Sequence, residues 1–321
     1  MFFDYKNENI RYTGRFGVTG NSISATATGA YFEFAFAGKS ALMQFDVDFS
    51  FDPRGHVYIE VDGGARSEAT IEKYIRITAC GDAPHTVKVI YKSSVEQQHR
   101  WYQPLIGKIA FMGVEADALL PLEPDNRRTI EFVGDSITEG VLIDPSLRVS
   151  PVDQLNRPWQ DDVTATYAWL TAAKLNLRPY FMGYGAVGAT RPGCGAVPKA
   201  AEAYPYNFNG SPVTYPSCDI VMCNHGANDR GNRERYLPEY RELLTLLRAK
   251  NPTAKIVVLT PFCGAFDDVL PEFVAKFNAE TGDSVACISS AGWVPLEPLH
   301  PLRDGHETIA RNFAAELAKV I

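Results

Sequence analysis

The hydrophobic pattern changes period once along this chain, and that change limits what it can build. Up to about residue 115, apolar and polar side chains alternate: Tyr31-Phe32-Glu33-Phe34-Ala35-Phe36, Met43-Gln44-Phe45-Asp46-Val47-Asp48-Phe49, His56–Val61 and His85–Tyr91. Alternation sends successive side chains to opposite faces of a strand. Turn signals such as Asp62-Gly63-Gly64 separate the segments. Many short strands of this kind predict a β-sandwich over residues 1–118. From Arg128 onward the pattern becomes strand, helix, strand. Strands are expected at Thr129–Val133, Tyr180–Tyr184, Asp219–Cys223, Lys255–Leu259 and Ser284–Ile288. Helical spacing is expected over Ala165–Leu175, Pro238–Lys250 and Glu307–Val320, the last with Ile309, Phe313, Leu317 and Val320 on one face. Nearly continuous apolar strands between helices predict an α/β unit over 128–321, a parallel sheet covered on both faces. Between the two, Leu119-Leu120-Pro121-Leu122-Glu123-Pro124-Asp125-Asn126 has no period and two prolines, so the linker is expected at 119–127.

Bulk composition supports two folded domains in 321 residues: 45% of residues are hydrophobic and 21% charged. The formal net charge is −7 and the isoelectric point about 5.5, which disfavours a nucleic-acid partner. No apolar run approaches the ~20 residues of a membrane span. The N-terminal Met1-Phe2-Phe3-Asp4-Tyr5-Lys6-Asn7 lacks the pattern of a signal peptide, so the cytoplasm is the expected location. The six cysteines, Cys80, Cys194, Cys218, Cys223, Cys263 and Cys287, form no CxxC pair and no zinc spacing. Free thiols, and no metal or cofactor, are expected.

In a parallel sheet, ligands bind at the carboxyl ends of the strands, so chemistry belongs in the loops that follow them. The first is Gly134-Asp135-Ser136-Ile137-Thr138-Glu139-Gly140. Its serine can present Oγ outward as a nucleophile, and reads equally as a helix-capping serine. The second, Gly185-Ala186-Val187-Gly188-Ala189-Thr190, brings a backbone N–H close to a ligand or makes a plain turn. The third, Asn224-His225-Gly226-Ala227-Asn228-Asp229, offers a side-chain amide or an Asx turn. The fourth, Glu297-Pro298-Leu299-His300-Pro301 with Gly305-His306, offers a histidine base or a surface loop.

Taken together the four loops resemble the SGNH (GDSL-type) hydrolases. Gly134–Gly140 resembles the first block of that family, Gly188 the glycine of the second, Gly226-Ala227-Asn228-Asp229 the third, and His300-Pro301 with Gly305-His306 the fifth. The resemblance covers about residues 128–321 and implies a flavodoxin-like hydrolase domain. It implies Ser136 as nucleophile, His300 as base, and an oxyanion hole made by the Ser136 and Gly188 N–H groups and the Asn228 side chain. The family places Asp three residues before the histidine; here Glu297 stands there, so a Ser136–His300 dyad competes with a triad. Asp304 is a substitute acid and His306 a rival base. The front half, in Asn9–Arg15 and Gly29–Phe34, is similar to the jelly-roll-like sandwich of the two-domain family-2 carbohydrate esterases. That likeness implies an acetylated carbohydrate, such as acetylated xylan, as substrate. A lysophospholipase or thioesterase and a non-catalytic glycan-binding protein remain alternatives. Trp101, Tyr102 and Trp159 are candidate sugar platforms or packing residues.

Overall fold

The computed structural model describes residues 1–81 and 83–321. The front of the chain forms two six-stranded antiparallel sheets, each built from short strands that pair across the chain rather than with their sequence neighbours alone. The strand Tyr31–Ala37 is central to one sheet and pairs with Ile10–Thr13, His85–Ser93 and Ala118–Leu120. The strand Ile109–Glu115 is central to the other and pairs with Phe2–Asp4, Ser22–Ala25 and Ser40–Phe45. Phe32, Phe34 and Phe36 point from the first sheet into a shared core with Met43, Phe45 and Phe111 from the second. Phe32 stacks on Phe111 with ring centroids 4.1 Å apart. The alternation seen in the sequence is therefore the inner face of a sandwich.

Two boundaries in this half differ from expectation. The strand expected over 43–49 ends at Phe45, and the segment that follows is a loop with Phe49 and Phe51 exposed. Leu119 and Leu120, expected in the linker, extend the last sandwich strand by pairing with Phe36 and Ala35. Residues 121–128 then run without regular structure to the next strand.

The second half is a five-stranded parallel sheet. Its spatial order is Arg178–Gly183, Thr129–Gly134, Ile220–Cys223, Lys255–Leu259, Ala286–Ile288, which in chain order is 2-1-3-4-5, the flavodoxin-like arrangement. Side chains alternate between two cores. Val221, Cys223, Ile256 and Val258 pack under the helices Arg233–Lys250 and Leu270–Thr281. Ile220, Met222, Val257 and Leu259 pack under Tyr167–Lys174 and Arg303–Leu317. Strand ends lie within two residues of expectation. The helix expected from Pro238 begins at Arg233, because Tyr236 and Tyr240 bury against the sheet and draw in the turn before the proline. The last helix begins at Arg303, not Glu307.

The two halves share buried surface. Tyr31 and Ile90, on the outer face of the first sandwich sheet, belong to the same apolar cluster as Phe132, Trp169 and Phe181. Arg15 reaches across to Glu131 at 2.8 Å, with both side chains 1% exposed. Tyr204 and Tyr215 donate their hydroxyls to the same carboxylate. A buried charge is costly unless paired and hydrogen bonded, and this one is both.

Candidate active site

The strand order reverses between Thr129–Gly134 and Ile220–Cys223, and the cleft belongs at that crevice. The first of these strands ends in Gly134, where any side chain would collide with the Thr138 hydroxyl. A four-residue helix, Ser136–Glu139, follows at once. Its N-cap is Asp135, whose carboxylate accepts the Ile137 N–H at 3.0 Å. Ser136 is thus not the cap but the first helical residue, and its hydroxyl is free for other work.

That hydroxyl meets the imidazole of His300, with Oγ 2.8 Å from Nε2. The pair joins residues 164 positions apart. Ser136 is 8% exposed and His300 half-buried, so the pair opens on solvent without being bathed in it. Burial lowers the His300 pKa below the usual histidine value; Glu96 opposes that shift and Arg157 adds to it. The ring is therefore neutral near pH 7, as a general base must be.

The other expected residues are less uniform. Asn228 lies half-buried in the third loop, and its amide nitrogen donates to Asp135 Oδ2 at 3.2 Å and to the Val187 carbonyl at 3.1 Å. To serve an oxyanion, one of those donors must be released. Gly188 does not present its N–H to the cleft: that group is bonded to the Arg191 carbonyl at 3.1 Å. Its glycine is needed for a different reason, since a Cβ there would lie 2.5 Å from the Asp229 carboxylate. Asp229 in turn accepts the Ala189 and Thr190 N–H groups and fixes the second loop. The Ser136 N–H, in the first turn of its helix, has no acceptor among the described residues. Burial, with Asp229 close by, pushes the Asp135 carboxyl up to about 7.

Glu297 is not the partner of His300. It is exposed and makes no hydrogen bond or ion pair among the described residues, so Ser136 and His300 meet here without it. The three-residue spacing that suggested it lies in irregular chain that turns the side chain to solvent. Asp304 is also exposed, and among the described residues its carboxylate accepts only the Gly305 N–H. His306 is 1% exposed; its Nδ1 accepts the Tyr167 N–H at 3.0 Å, and burial drives its pKa down to about 3. It holds the last helix against Tyr167–Lys174 and is no rival base. Trp101 is buried, whereas Tyr102 and Trp159 are exposed, Trp159 standing edge-on to His56 at 4.5 Å.

Sequence reasoning missed how the sandwich enters the site. Arg100, fully buried, pairs with Glu139 at the end of the Ser136 helix. Glu139 also accepts the Gly185 N–H at 2.6 Å, so one carboxylate ties the first loop to the second. Thr28, from the sandwich, donates to the Glu139 carbonyl at 3.0 Å. No local pattern around Arg100 or Thr28 could have shown this, because their partners lie in the other domain. The six cysteines are free, with Cys218 and Cys223 buried as expected and Cys287 half-buried. Among the described residues no cluster of His, Cys, Asp or Glu could hold a metal ion, and no helix is long and apolar enough to cross a membrane.

A serine paired with histidine at the switch point of a flavodoxin-like sheet defines a serine hydrolase of the SGNH type. Residues 132–315 match the GDSL-like lipase/acylhydrolase family, and the chain belongs to that family. Solved structures similar to it share both halves. A family two carbohydrate esterase from Cellvibrio japonicus matches with a TM-score of 0.81 at 18% identity, over 100% of this chain and 97% of that one. One from Clostridium thermocellum in complex with cellohexaose gives 0.73 at 22%, over 97% and 98%. An acetyl xylan esterase from Butyrivibrio proteoclasticus gives 0.75 at 18%, over 99% and 98%. A salicylyl-acyltransferase from a tetracycline biosynthetic pathway shares the frame more distantly, with a TM-score of 0.64 at 13%, over 99% and 98%. No curated protein sequence matches the chain.

Proposed function

We propose that the protein is a serine esterase that removes O-acetyl groups from a carbohydrate, an oligosaccharide or polysaccharide such as acetylated xylan. The observation that carries the chemistry is the Ser136–His300 pair at 2.8 Å. Support for the substrate class comes from the full-length likeness to carbohydrate esterases, sandwich included. In this reading His300 Nε2 takes the hydroxyl proton as Ser136 Oγ attacks the ester carbonyl. The tetrahedral oxyanion develops beside the Ser136 N–H, and the Asn228 amide turns to it from Val187 or Asp135. His300 then returns the proton to the leaving sugar hydroxyl, and water, activated by the same ring, clears the acyl group from Ser136.

The test is acetate release from acetylated xylo-, manno- and gluco-oligosaccharides, with a small aryl acetate as reference. Ser136→Ala should lower turnover of every substrate by at least about a thousandfold. A variant that keeps most of its activity removes Ser136 as nucleophile. Aryl esters of two carbons should outpace those of eight; the reverse order points to a lipid or thioester substrate instead.

A further inference from the structure

Asn228 rests with both hydrogens of its amide in use, and an oxyanion can take only one of them without setting the group adrift. Nδ2 donates to Asp135 Oδ2 at 3.2 Å and to the Val187 carbonyl at 3.1 Å. The amide oxygen makes no hydrogen bond among the described residues, so these two bonds alone set the orientation of the group. Whichever of them survives aims the hydrogen that is released. The two acceptors differ in where they sit. Val187 belongs to the second loop. Asp135 is joined by its own peptide to Ser136, whose hydroxyl attacks and whose N–H has no acceptor among the described residues. An oxyanion forms on the carbonyl that Ser136 Oγ attacks, close to that hydroxyl. The bond to Asp135 therefore keeps the amide nitrogen beside the nucleophile, and the bond to Val187 draws it away. Asp135 is also the better fixed of the two. Its side chain is buried, and its Oδ1 accepts the Ile137 N–H at 3.0 Å as the cap of the helix Ser136–Glu139. Asn228 is steadied from its own side. It lies in the short turn Ala227–Asp229, and the carboxylate of Asp229 accepts the Ala189 N–H, the Thr190 N–H and the Thr190 hydroxyl. Each oxygen of Asp135 thus takes a different donor, and a side chain with a single acceptor oxygen cannot serve both.

On the esterase reading above, we propose that Asp135 is a positioning residue of the oxyanion hole: its Oδ2 keeps hold of the Asn228 amide while the other hydrogen passes from the Val187 carbonyl to the oxyanion. Asp135 touches neither the substrate nor the reacting atoms and acts through Asn228. At rest the Val187 carbonyl occupies the hydrogen that the transition state uses. Because one anchor is never released, the amide turns little, and the donor is in place as charge develops. The same side chain serves the nucleophile twice, capping the helix that presents Ser136 and aiming the donor that faces the tetrahedral adduct.

The experiment measures kcat and KM on an aryl acetate, which asks nothing of the sugar, in a double-mutant cycle of Asp135 and Asn228. Asp135→Ser keeps an oxygen that can cap the helix and drops the second acceptor. It should lower kcat about ten- to a hundredfold and leave KM within about twofold, because the amide is needed by the transition state and not by the bound ester. Asn228→Ala should lower kcat by about a hundredfold or more. In the double variant the Asp135 change should cost nothing further, since no amide is left to aim. Asp135→Asn has nearly the shape of the native side chain and serves if Asp135→Ser folds poorly by near-ultraviolet circular dichroism. Its one carbonyl oxygen cannot take both donors, so it should show the same split between kcat and KM. A merely structural role for Asp135 would multiply its loss onto that of Asn228→Ala, and independent losses of that kind overturn the proposal. In an active enzyme so do an Asp135 variant that keeps kcat, one that raises KM at unchanged kcat, and a silent Asn228→Ala. Absence of any acyl-ester turnover in the unaltered protein overturns the esterase reading and the proposal together.

Discussion

At the scale of the residue, the site rests on two side chains whose states are set by their surroundings. Burial keeps His300 below the ordinary histidine pKa near 6.5, so it is unprotonated over a wider acid range than a free imidazole. The sign follows: kcat/KM should rise with pH through a limb centred below 6.5 and be flat from there through neutrality. A limb centred above 6.5 would mean that another group carries the proton. Because Glu297 has no partner among the described residues, Glu297→Gln should leave both kcat and the pH profile close to the unaltered enzyme's, measured on the same aryl acetate. Gly188 is predicted to matter through packing. Its Cβ in Gly188→Ala would press on the Asp229 carboxylate that holds Ala189 and Thr190, so kcat should fall as the second loop shifts.

At the scale of the element, the short helix Ser136–Glu139 is too brief to be stable on its propensity. It is held by contacts at both ends: Asp135 caps it, and Glu139 is locked by Arg100 and by the Gly185 N–H. Removing one partner of such a buried pair leaves an uncompensated charge, which costs about 3–5 kcal/mol. Arg100→Met should therefore lower unfolding free energy by about that much in a denaturant titration and depress activity with it. The sequence showed the strands of the parallel sheet, some of the sandwich strands, the helices Tyr167–Lys174, Arg233–Lys250 and Arg303–Leu317, and the positions of Ser136, Asn228 and His300, because strand ends, glycines and periodicity are local properties. It did not show the helix Leu270–Thr281, in which Leu270, Phe273, Val274 and Phe277 face the core but Pro271 stands in the first turn. Nor did it show that Glu297 would lie apart from the histidine. A spacing of three suggests contact only in a regular helix or turn, and Glu297–His300 lies in neither. Arg100 and Thr28 were invisible for the opposite reason: their contacts come from docking one domain on another.

At the scale of the molecule, the two halves share buried contacts that should make them unfold together. The Arg15–Glu131 pair, the shared cluster around Tyr31 and Trp169, and the Arg100 clamp all cross between them. Thermal or denaturant unfolding should show a single transition by fluorescence and circular dichroism, and a fragment of residues 121–321 should not fold to an active state. Two separated transitions, or an active fragment, would contradict the shared core. The separation of the Ser136–His300 pair also has a consequence for synthesis. Domains emerging from a ribosome fold from the front. The sandwich strands are all made before the nucleophile's strand, whereas Glu139, the partner of Arg100, follows it, and the base arrives 164 residues after the serine. The growing polypeptide is thus chemically silent, and hydrolytic capacity switches on only when the segment around His300 has left the exit tunnel and docked.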